Sequence, residues 1–419
     1  MLSQIFEFDG YSVISATSKD CSRLRPGNGG IRIGQYQDNS VAEAEALRLA
    51  SVMELKHSFA RTGMSGAKVV VNAEPNTCKQ DVMKSIGTEV LGDGSLYLGC
   101  DMGTDGDDMD TLMQHSKYVL ASRGSLVDPN WATAESTFGC IQAVLGDHLD
   151  GYTFLVEGVG KVGSHIARLL MKYKAKEVIC KDVDEAREHV RSFADDAPRF
   201  TKSVSRDFES TEAAMSAVDV FVPCASCGTV NSVILDALKN CKVIAGPANA
   251  AVASILDFKK VLDRDITLIP DYMTGTGAIQ VDVLEYAGFL PEVPPDVVYA
   301  WVRSQSKHRC AVVLEKFRKQ ILCDMSVSTS VLEECIDSDP VLRVSAKTSF
   351  LEFEQRMHEE CEIPIVGGGI TGSATDYSAC VPALATGLFA PMDIRKFQMA
   401  KYIKHSGAPV PNLSALSKL

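Results

Sequence analysis

Three glycines follow a short apolar run in the stretch 153–182, at a spacing that suits dinucleotide binding. Gly158, Gly160 and Gly163 form G-x-G-x-x-G, a helical pattern follows, and a second apolar run ends at Asp182. Such glycines make a tight turn, let a pyrophosphate approach the backbone, and let helix and strand pack closely. The first N–H groups of the helix are then available to phosphate. The stretch therefore predicts a strand, turn, helix and strand that bind a dinucleotide.

The acidic residue at the end of this unit, Asp182, helps to predict which dinucleotide the unit binds. Asp182 lies 24 residues after Gly158, about where a carboxylate meets the adenosine ribose hydroxyls. A carboxylate there repels a 2′-phosphate, and no arginine is adjacent. Lys181 is the one opposing charge, and we interpret it as a solvated lysine at the end of a strand. The pattern favours NAD over NADP.

Two lysines and an aspartate lie next to apolar segments nearer the start of the chain. Lys56 comes late in a helical pattern for which Ser40 to Glu43 predicts a capping box, and Lys68 precedes the run Val69 to Val71. Asp101 falls in an apolar stretch. Paired lysines suggest an anion site, although each alone is equally typical of a solvated lysine, and a lone aspartate at a strand end is usually a cap. Upstream, the run 27–32 predicts a flexible turn of close approach before a short strand.

Composition narrows the class of protein. The 419 residues suit two domains, and the 46% hydrophobic content suits a globular fold. A formal charge of −12 argues against a nucleic-acid partner or an anionic membrane surface. No run approaches 18 apolar residues, and the N-terminus lacks the pattern of a signal peptide. The thirteen scattered cysteines indicate reduced thiols.

Some motifs carry little weight alone. Cys224 and Cys227 form C-x-x-C, which suits a redox pair or half a zinc site, but no second pair of ligands has the required spacing. The eight histidines form no metal-binding motif, so we predict no metal. A second G-x-G-x-x-G at 367–372 lacks a following strand with an acidic end, and we interpret it as a loop.

Several motifs together resemble those of a known family. The sequences G-G-I-R, S-G-A-K at Lys68, C-D-M-G-T-D-G-D-D-M-D, T-A-E-S at Thr133 and G-V-G-K-V-G occur in the order and at the spacing of amino acid dehydrogenases. Further on, P-C-A and V-I-A-G-P-A-N also match. The chain resembles the glutamate, leucine, phenylalanine and valine dehydrogenase family from about Gly29 to Glu285, and is closest to the leucine and phenylalanine branch.

The resemblance implies NAD-dependent, reversible oxidative deamination of an L-amino acid and assigns roles to residues. Lys56 would hold the substrate carboxylate, and Lys68 would be the base that activates water. Asp101 would exchange protons with the amino group. The backbones of Gly29, Gly30 and Gly99 would line the substrate site.

The same resemblance implies a set of NAD contacts. Thr133 and Asn249 would orient the nicotinamide carboxamide and its surroundings, and the strand ending at Cys224 and Ala225 would border the cofactor. The complete predicted set is Gly158, Val159, Gly160, Lys161, Val162, Gly163, Asp182, Thr133, Cys224, Ala225 and Asn249.

Departures from the family pattern concern the substrate side chain and the nicotinamide. Asn28 and Asp282 stand at side-chain pocket positions that are apolar, lysine, serine or valine in relatives. Burying an unpaired carboxylate costs several kcal/mol, so we predict a polar or cationic substrate side chain; the alternative is that Asp282 faces solvent or caps a helix. Where the branch has N-A-G-G, residues 275–278 read G-T-G-A, so a polar group is missing or replaced by Thr274 or Thr276. Ala250 stands where a second asparagine is frequent.

The expected architecture is α/β with two domains separated by a cleft. An N-terminal α/β substrate and oligomerisation domain would comprise residues 1–132 plus 285–419, and a Rossmann NAD-binding domain residues 133–284. Closure of the cleft would exclude water. The resemblance also implies a homo-oligomer. Two rivals stay open: an imine-forming or imine-reducing biosynthetic enzyme of the same family, and a catalytically inactive NAD-binding regulatory protein.

The chain ends in Ser417-Lys418-Leu419. In a eukaryote, a free tripeptide of this kind is the address read by the peroxisomal import receptor. We therefore expect a peroxisomal enzyme in a eukaryotic source and a cytoplasmic one otherwise. The segment after about residue 347 exceeds the family's usual length, and its role is not predicted.

Overall fold

The computed structural model describes residues 1–19, 21–183, 200–202, 215–290 and 293–324. The chain forms two α/β units, as the sequence predicts. The first contains Met1–Val127 and Ile279–Pro294; the second contains Asp128–Ala278 and the helix that starts at Pro295.

The first unit is built on a five-stranded sheet of order β1-β2-β4-β3-β5. Strand β2 runs antiparallel to β1 and β4, whereas β3 runs parallel to β4 and β5. The strands are β1 (Leu2–Phe8), β2 (Tyr11–Thr17), β3 (Gly27–Gly34), β4 (Ser65–Ala73) and β5 (Leu96–Cys100). The helices are α1 (Asn39–Ala60), α2 (Lys79–Ser85), which continues as a π-turn over Ile86–Val90, and α3 (Gly106–Met113).

Alternating side chains divide this sheet into two covered faces, because successive strand residues point to opposite sides. One face, with Ile14 and Val70, packs against the alanines of α1. The other, with Ile31, Val69 and Leu98, packs against α2 and α3. A Cβ on Gly66 would lie 2.3 Å from the Ala50 carbonyl oxygen, so this glycine lets α1 approach β4 closely. The active-site candidates lie on the α1 face.

Two local predictions are wrong in this unit. Helix α1 begins at Asn39, and its N-cap is Asp38, whose carboxylate accepts from the Ser40 and Val41 N–H groups. The predicted capping box at Ser40 is absent because Asp38 precedes it, and the Glu43 carboxylate instead accepts from the Ser3 hydroxyl. The run 27–32 is not a turn but the start of β3.

The second unit is built on a parallel sheet of order β11-β10-β9-β6-β7-β8. This is the doubly wound order that binds dinucleotides where the strand order reverses, here between β6 and β9. The strands are β6 (Thr153–Glu157), β7 (Glu177–Lys181), β8 (Phe200–Lys202), β9 (Val220–Pro223), β10 (Val243–Ala245) and β11 (Thr267–Ile269). The helices are α4 (Pro129–Leu145), α5 (Gly163–Lys172), α6 (Ser232–Ala237), α7 (Ile255–Asp263) and α8 (Asp271–Thr274).

Two further helices carry the chain back to the first unit and out again. Helix α9 (Gly277–Tyr286) leads into the first unit, and α10 (Pro295–Asp324) belongs to the second. Helix α10 packs on α4, where a Cβ on Gly139 would lie 2.4 Å from the Arg303 carbonyl oxygen. Trp301 and Val302 are buried.

The predicted domain boundaries therefore need correction. Residues 295–324 lie in the dinucleotide unit and not in the substrate domain, and the chain crosses between units after residues 127 and 278 instead of 132 and 284. Pro295 has a fixed φ suited to a first helical turn, so it starts a separate helix whose apolar side needs cover, which α4 supplies.

The glycine-rich run 367–372 and Ser417-Lys418-Leu419 lie outside the described residues. Among the helices that are described, none combines the length and the apolar character needed to span a bilayer.

Candidate active site

Three glycines lie close together on strands β3 and β5 of the first unit's sheet. Gly30 of β3 lies beside Gly99 of β5. A Cβ on Gly29 would lie 1.8 Å from the Ala67 carbonyl oxygen, one on Gly30 2.8 Å from the Asp101 Cβ, and one on Gly99 2.4 Å from the Leu120 carbonyl oxygen. None of the three positions has room for a side chain, so the backbone itself forms this surface.

Lys68 and Asp101 form an ion pair at this surface, in which the lysine is buried and the aspartate is half-buried. The Lys68 Nζ lies 2.6 Å from the Asp101 Oδ2, and the lysine side chain is only 7% exposed. Burial lowers the pKa of Lys68, which the Asp101 charge opposes, while the charges of Arg32 and Lys56 lower it further. Burial raises the pKa of Asp101, but Lys68 and Arg32 outweigh this and bring it to about 2. Asp101 is therefore ionised at neutral pH beside a lysine that gives up its proton more readily than usual.

Lys56 faces this pair from the last turns of α1. Its side chain is half-buried, and its positive charge acts on both Lys68 and the neighbouring His57. Lys68 thus lies within electrostatic range of both Lys56 and Asp101, the two other residues that the sequence singled out for chemistry.

Asn28 and Asp282 form a second polar pair in the same unit. Asn28 is fully buried, and its Nδ2 donates to the Asp282 Oδ2 at 3.1 Å. The Asn28 Oδ1 is buried and has no partner among the described residues. Burial, and then the charge of Glu285, raise the pKa of Asp282 well above its usual range, and the bond from Asn28 offsets only part of this. Asp282 therefore lies within α9 and does not cap it, and its half-buried side chain accepts from Asn28.

Three residues that sequence reasoning gave no role support this site. Arg32 contacts Asp101, with its Nε 2.9 Å from Oδ2. The Thr104 hydroxyl accepts from the Asp101 N–H at 2.9 Å. His57 is buried between the Thr62 hydroxyl, 2.7 Å from its Nδ1, and the Asn28 carbonyl oxygen, 3.4 Å from its Nε2. Burial lowers the pKa of His57 to about 3, so it is neutral at physiological pH. Strand periodicity was the available signal for Arg32, since it lies two residues after Gly30 and four after Asn28, on the same face of β3.

The second unit has the close packing that a dinucleotide loop requires. Gly158 has φ of +90°, and a Cβ there would lie 2.6 Å from the Ala225 nitrogen. A Cβ on Gly163 would lie 1.9 Å from the Gly158 carbonyl oxygen and 3.1 Å from the Cys224 Cβ. Cys224 and Ala225 therefore border the glycine loop, and their contact with the cofactor stays a prediction. Helix α5 begins here without a side-chain cap, which leaves its N-terminus to an anion.

The charged residues near the glycine loop suit NAD better than NADP. The Asp182 Oδ2 accepts from the Val159 N–H at 2.8 Å, which places the carboxylate against the glycine loop. Lys181 pairs with Glu157 at 3.1 Å, so a carboxylate offsets the one charge that would favour a 2′-phosphate. A cavity of about 730 Å³ lies at the carboxyl edge of the sheet, with Glu157, Lys181 and Asn231 in its lining. These residues fit an adenosine half without a 2′-phosphate.

The remaining predicted cofactor contacts are positioned less directly. The Thr133 hydroxyl donates back to the Pro129 carbonyl at 2.9 Å, and Asn249 is exposed after β10. Thr274 and Thr276 are fully buried, and their hydroxyls donate to the carbonyls of Gly246 and Met273 at 2.7 and 3.2 Å. The suggestion that either threonine replaces the missing polar group is therefore wrong, because both hydroxyls bond backbone inside the unit.

The thiols of the C-x-x-C motif are free, and burial raises the pKa of Cys224. Among the described residues, no cluster of three or more His, Cys, Asp or Glu side chains has an arrangement that holds a metal.

The fold and the two sets of residues define an oxidoreductase with a dinucleotide unit and a substrate unit. Residues 124–293 match the family model described as Glutamate/Leucine/Phenylalanine/Valine dehydrogenase, and residues 7–118 match its dimerisation domain. The chain belongs to this family, whose members are NAD(P)-dependent amino acid dehydrogenases. NAD is the cofactor, as in the leucine, valine and phenylalanine branch.

Individual relatives agree with this placement. Leucine dehydrogenase of Bacillus cereus is 30% identical over 267 residues, which cover 61% of this chain and 70% of the relative. Phenylalanine dehydrogenase of Thermoactinomyces intermedius is 30% identical over 280 residues, covering 64% and 74%. The solved structure of L-tryptophan dehydrogenase from Nostoc punctiforme shares the fold, with a TM-score of 0.62 at 24% identity over 85% of this chain and 96% of that one.

Proposed function

We propose that the protein catalyses the NAD-dependent, reversible oxidative deamination of an L-amino acid to its 2-oxo acid and ammonium. The observation that carries this proposal is the ion pair of the buried Lys68 with Asp101, 2.6 Å apart beside the glycine surface. One group holds a negative charge and the other releases its proton easily, which is the combination that amine chemistry needs. NAD, when bound, supplies the acceptor for the hydride that leaves the substrate Cα.

The chain's own residues account for the remaining proton transfers. Lys56 binds the substrate α-carboxylate, and neutral Lys68 takes a proton from water as its oxygen bonds to the C=N carbon of the oxidised substrate. Asp101 first takes a proton from the substrate ammonium group and, once water has added, returns it to the nitrogen. It then takes the hydroxyl proton as the C=O bond forms and the C–N bond breaks, which releases ammonia. Gly29, Gly30 and Gly99 bring backbone next to the substrate. Thr133 and Asn249 orient the nicotinamide end.

We further propose that the substrate side chain is polar or cationic. The pair of Asn28 and Asp282 supports this, because it combines an unpaired buried amide oxygen with a carboxyl that no cation contacts among the described residues. A substrate ammonium group donates to both oxygens and stabilises the ionised form of Asp282. An aliphatic side chain offers no donor to the Asn28 Oδ1 and no cation to the Asp282 carboxyl, and the unsatisfied amide oxygen alone costs about 1–3 kcal/mol.

A substrate panel tests both parts. NADH formation is followed by absorbance with the standard amino acids, ornithine and diaminobutyrate. We expect turnover, highest with lysine, ornithine, diaminobutyrate or serine. Preference for leucine or phenylalanine contradicts the side-chain proposal alone. Absence of NADH with every amino acid, with NAD still bound, contradicts the dehydrogenase proposal and favours the regulatory or imine-reducing rival.

We also propose a homo-oligomer. Strand β1 is an edge strand of its sheet, and Leu2 and Ile5 are 56% and 39% exposed on it. An exposed apolar edge strand is a template for pairing with another chain. The dimerisation-domain match over residues 7–118 supports the same conclusion. Sedimentation velocity tests it: a single species of 45.3 kDa contradicts the proposal.

A further inference from the structure

Asp101 contacts two cations, and only Lys68 has a role in the proposed chemistry. Arg32 is the other: its Nε lies 2.9 Å from the Asp101 Oδ2, the same oxygen that the Lys68 Nζ approaches at 2.6 Å. The Arg32 side chain is only 13% exposed. A buried arginine fixed on a carboxylate of the site is a substantial electrostatic element, since the guanidinium does not deprotonate in proteins.

Arg32 is itself held from the far side by α1. Its Nη1 donates to the Glu45 Oε1 at 2.7 Å, and the Glu45 Oε2 accepts from the Arg48 Nε at 2.9 Å. Charges therefore alternate from Lys68 through Asp101, Arg32 and Glu45 to Arg48. This chain of contacts fixes the plane of the guanidinium and, through it, the orientation of the Asp101 carboxylate.

We propose that Arg32 is a positioning residue that keeps Asp101 oriented and ionised while Lys68 loses its proton. The shortest contacts of both cations are to Oδ2, so Oδ1 is the oxygen left to face the substrate nitrogen. This inference rests on the proposed dehydrogenase activity.

The physical reason lies in what happens when Lys68 becomes neutral. Without Arg32, deprotonation of Lys68 leaves the half-buried Asp101 carboxylate without a cationic partner, so Lys68 holds its proton more tightly. With Arg32 present, Asp101 keeps one permanent partner. Among the described residues, the charged and titratable groups that act on Lys68, Asp101 or Arg32 are Arg32 itself on β3, Tyr36 after β3, and Glu45 and Lys56 on α1. Arg32 is the one among them that contacts Asp101.

The test compares Arg32→Gln and Arg32→Lys with Arg123→Gln as a matched control. Arg123 also pairs with an aspartate of the same unit, Asp110, but on the exposed surface. For Arg32→Gln we expect kcat to fall about 100-fold with little change in KM, and the acid limb of kcat/KM against pH to move up by about one unit. Arg32→Lys keeps a charge and is expected within about tenfold of wild type. Arg123→Gln is expected to match wild type.

A second readout does not depend on turnover. Labelling with acetic anhydride at a series of pH values, read by mass spectrometry of the Lys68 peptide, reports the pH at which Lys68 becomes a free amine. We expect a rise of about one pH unit in Arg32→Gln. If neither the acid limb of kcat/KM against pH nor the pH at which Lys68 becomes labelled changes in Arg32→Gln, the proposal is overturned.

If Arg32→Gln does not fold, the Arg32→Lys variant provides the test of the proposal. A smaller shift in the same direction supports the role, and lost turnover with no shift overturns it. If wild type makes no NADH with any amino acid, the dehydrogenase proposal fails, while the labelling arm still tests the coupling of Arg32 to Lys68.

Discussion

The substrate unit and the dinucleotide unit rely on different parts of the chain. Around Lys68 and Asp101, buried side-chain charges oppose one another and set each other's protonation. Around Gly158 and Gly163, the important feature is missing side chains, since a single Cβ would overlap backbone. Chemistry in the first unit should therefore respond to charge and pH, whereas cofactor binding in the second should respond to steric bulk.

The largest effect on cofactor binding is expected from adding one methyl group to the glycine loop. In Gly163→Ala the new Cβ would lie 1.9 Å from the Gly158 carbonyl oxygen, so the loop must shift. We expect NAD affinity, measured by calorimetry, to fall at least about 100-fold. Gly151→Ala is the control, because nothing lies within 4 Å of a Cβ there. Equal affinity in both variants contradicts the steric account of the second unit.

A change of charge in the first unit should alter substrate choice without affecting NAD binding. For Asp282→Val we expect kcat/KM with lysine or ornithine to fall about 30-fold and that with leucine to rise, because an apolar side chain no longer meets an unsatisfied carboxyl. Asp282→Asn keeps the shape and should lose the cationic preference without gaining leucine. Unchanged ratios of kcat/KM in both variants contradict the assignment of this pocket.

The buried histidine of the first unit should make stability depend on pH. The pKa of His57 is about 3 in the folded chain and 6.5 in its ordinary state, so the unfolded chain binds more protons between these values. The stabilisation is complete above about pH 6.5 and is lost as the pH falls toward 3. Between pH 7 and 5 we expect a loss of about 2 kcal/mol.

Denaturant unfolding at the two pH values measures this loss. His57→Gln should show a pH-dependent loss smaller by about 2 kcal/mol, whereas His115→Gln, at an exposed position, should behave as wild type. The same pH dependence in all three proteins contradicts a neutral, buried His57.

The smallest effect concerns a strained backbone position in the second unit. Ala250 has φ of +47°, a conformation that costs a residue with a Cβ about 1 kcal/mol. Ala250→Gly and Ala250→Asn should therefore raise the free energy of unfolding by about 0.5–1 kcal/mol. Ala253→Gly, at a position without positive φ, should lower it. A lower Tm in both Ala250 variants would contradict the prediction that the backbone is strained at this position.

The sequence predicted local units well and long-range pairs poorly. The strand-turn-helix around Gly158 follows from spacing within thirty residues, and its strands are found at the predicted positions. The contact of Arg32 with Asp101 spans 69 residues and depends on the order of β3 and β5, which no local pattern encodes.

Resemblance supplied part of what periodicity could not. It placed Asn28 and Asp282, 254 residues apart, in one pocket, and the structure joins them by a hydrogen bond. The prediction placed residues 295–324 in the substrate domain, whereas helix α10 belongs to the second unit, where it packs against Gly139 of α4. The cap at Asp38 was missed because a serine two residues later carried an equally good local motif.

The central claim is that charge chemistry belongs to the first unit and cofactor binding to the second. The direct measurement determines both turnover and the Kd for NAD in Lys68→Ala, with Lys79→Ala, whose lysine also pairs with an aspartate, as control. We predict that Lys68→Ala loses at least about 1,000-fold in kcat with an unchanged Kd, and that Lys79→Ala retains both. Turnover that survives in Lys68→Ala, or a Kd that weakens together with kcat, would contradict the account.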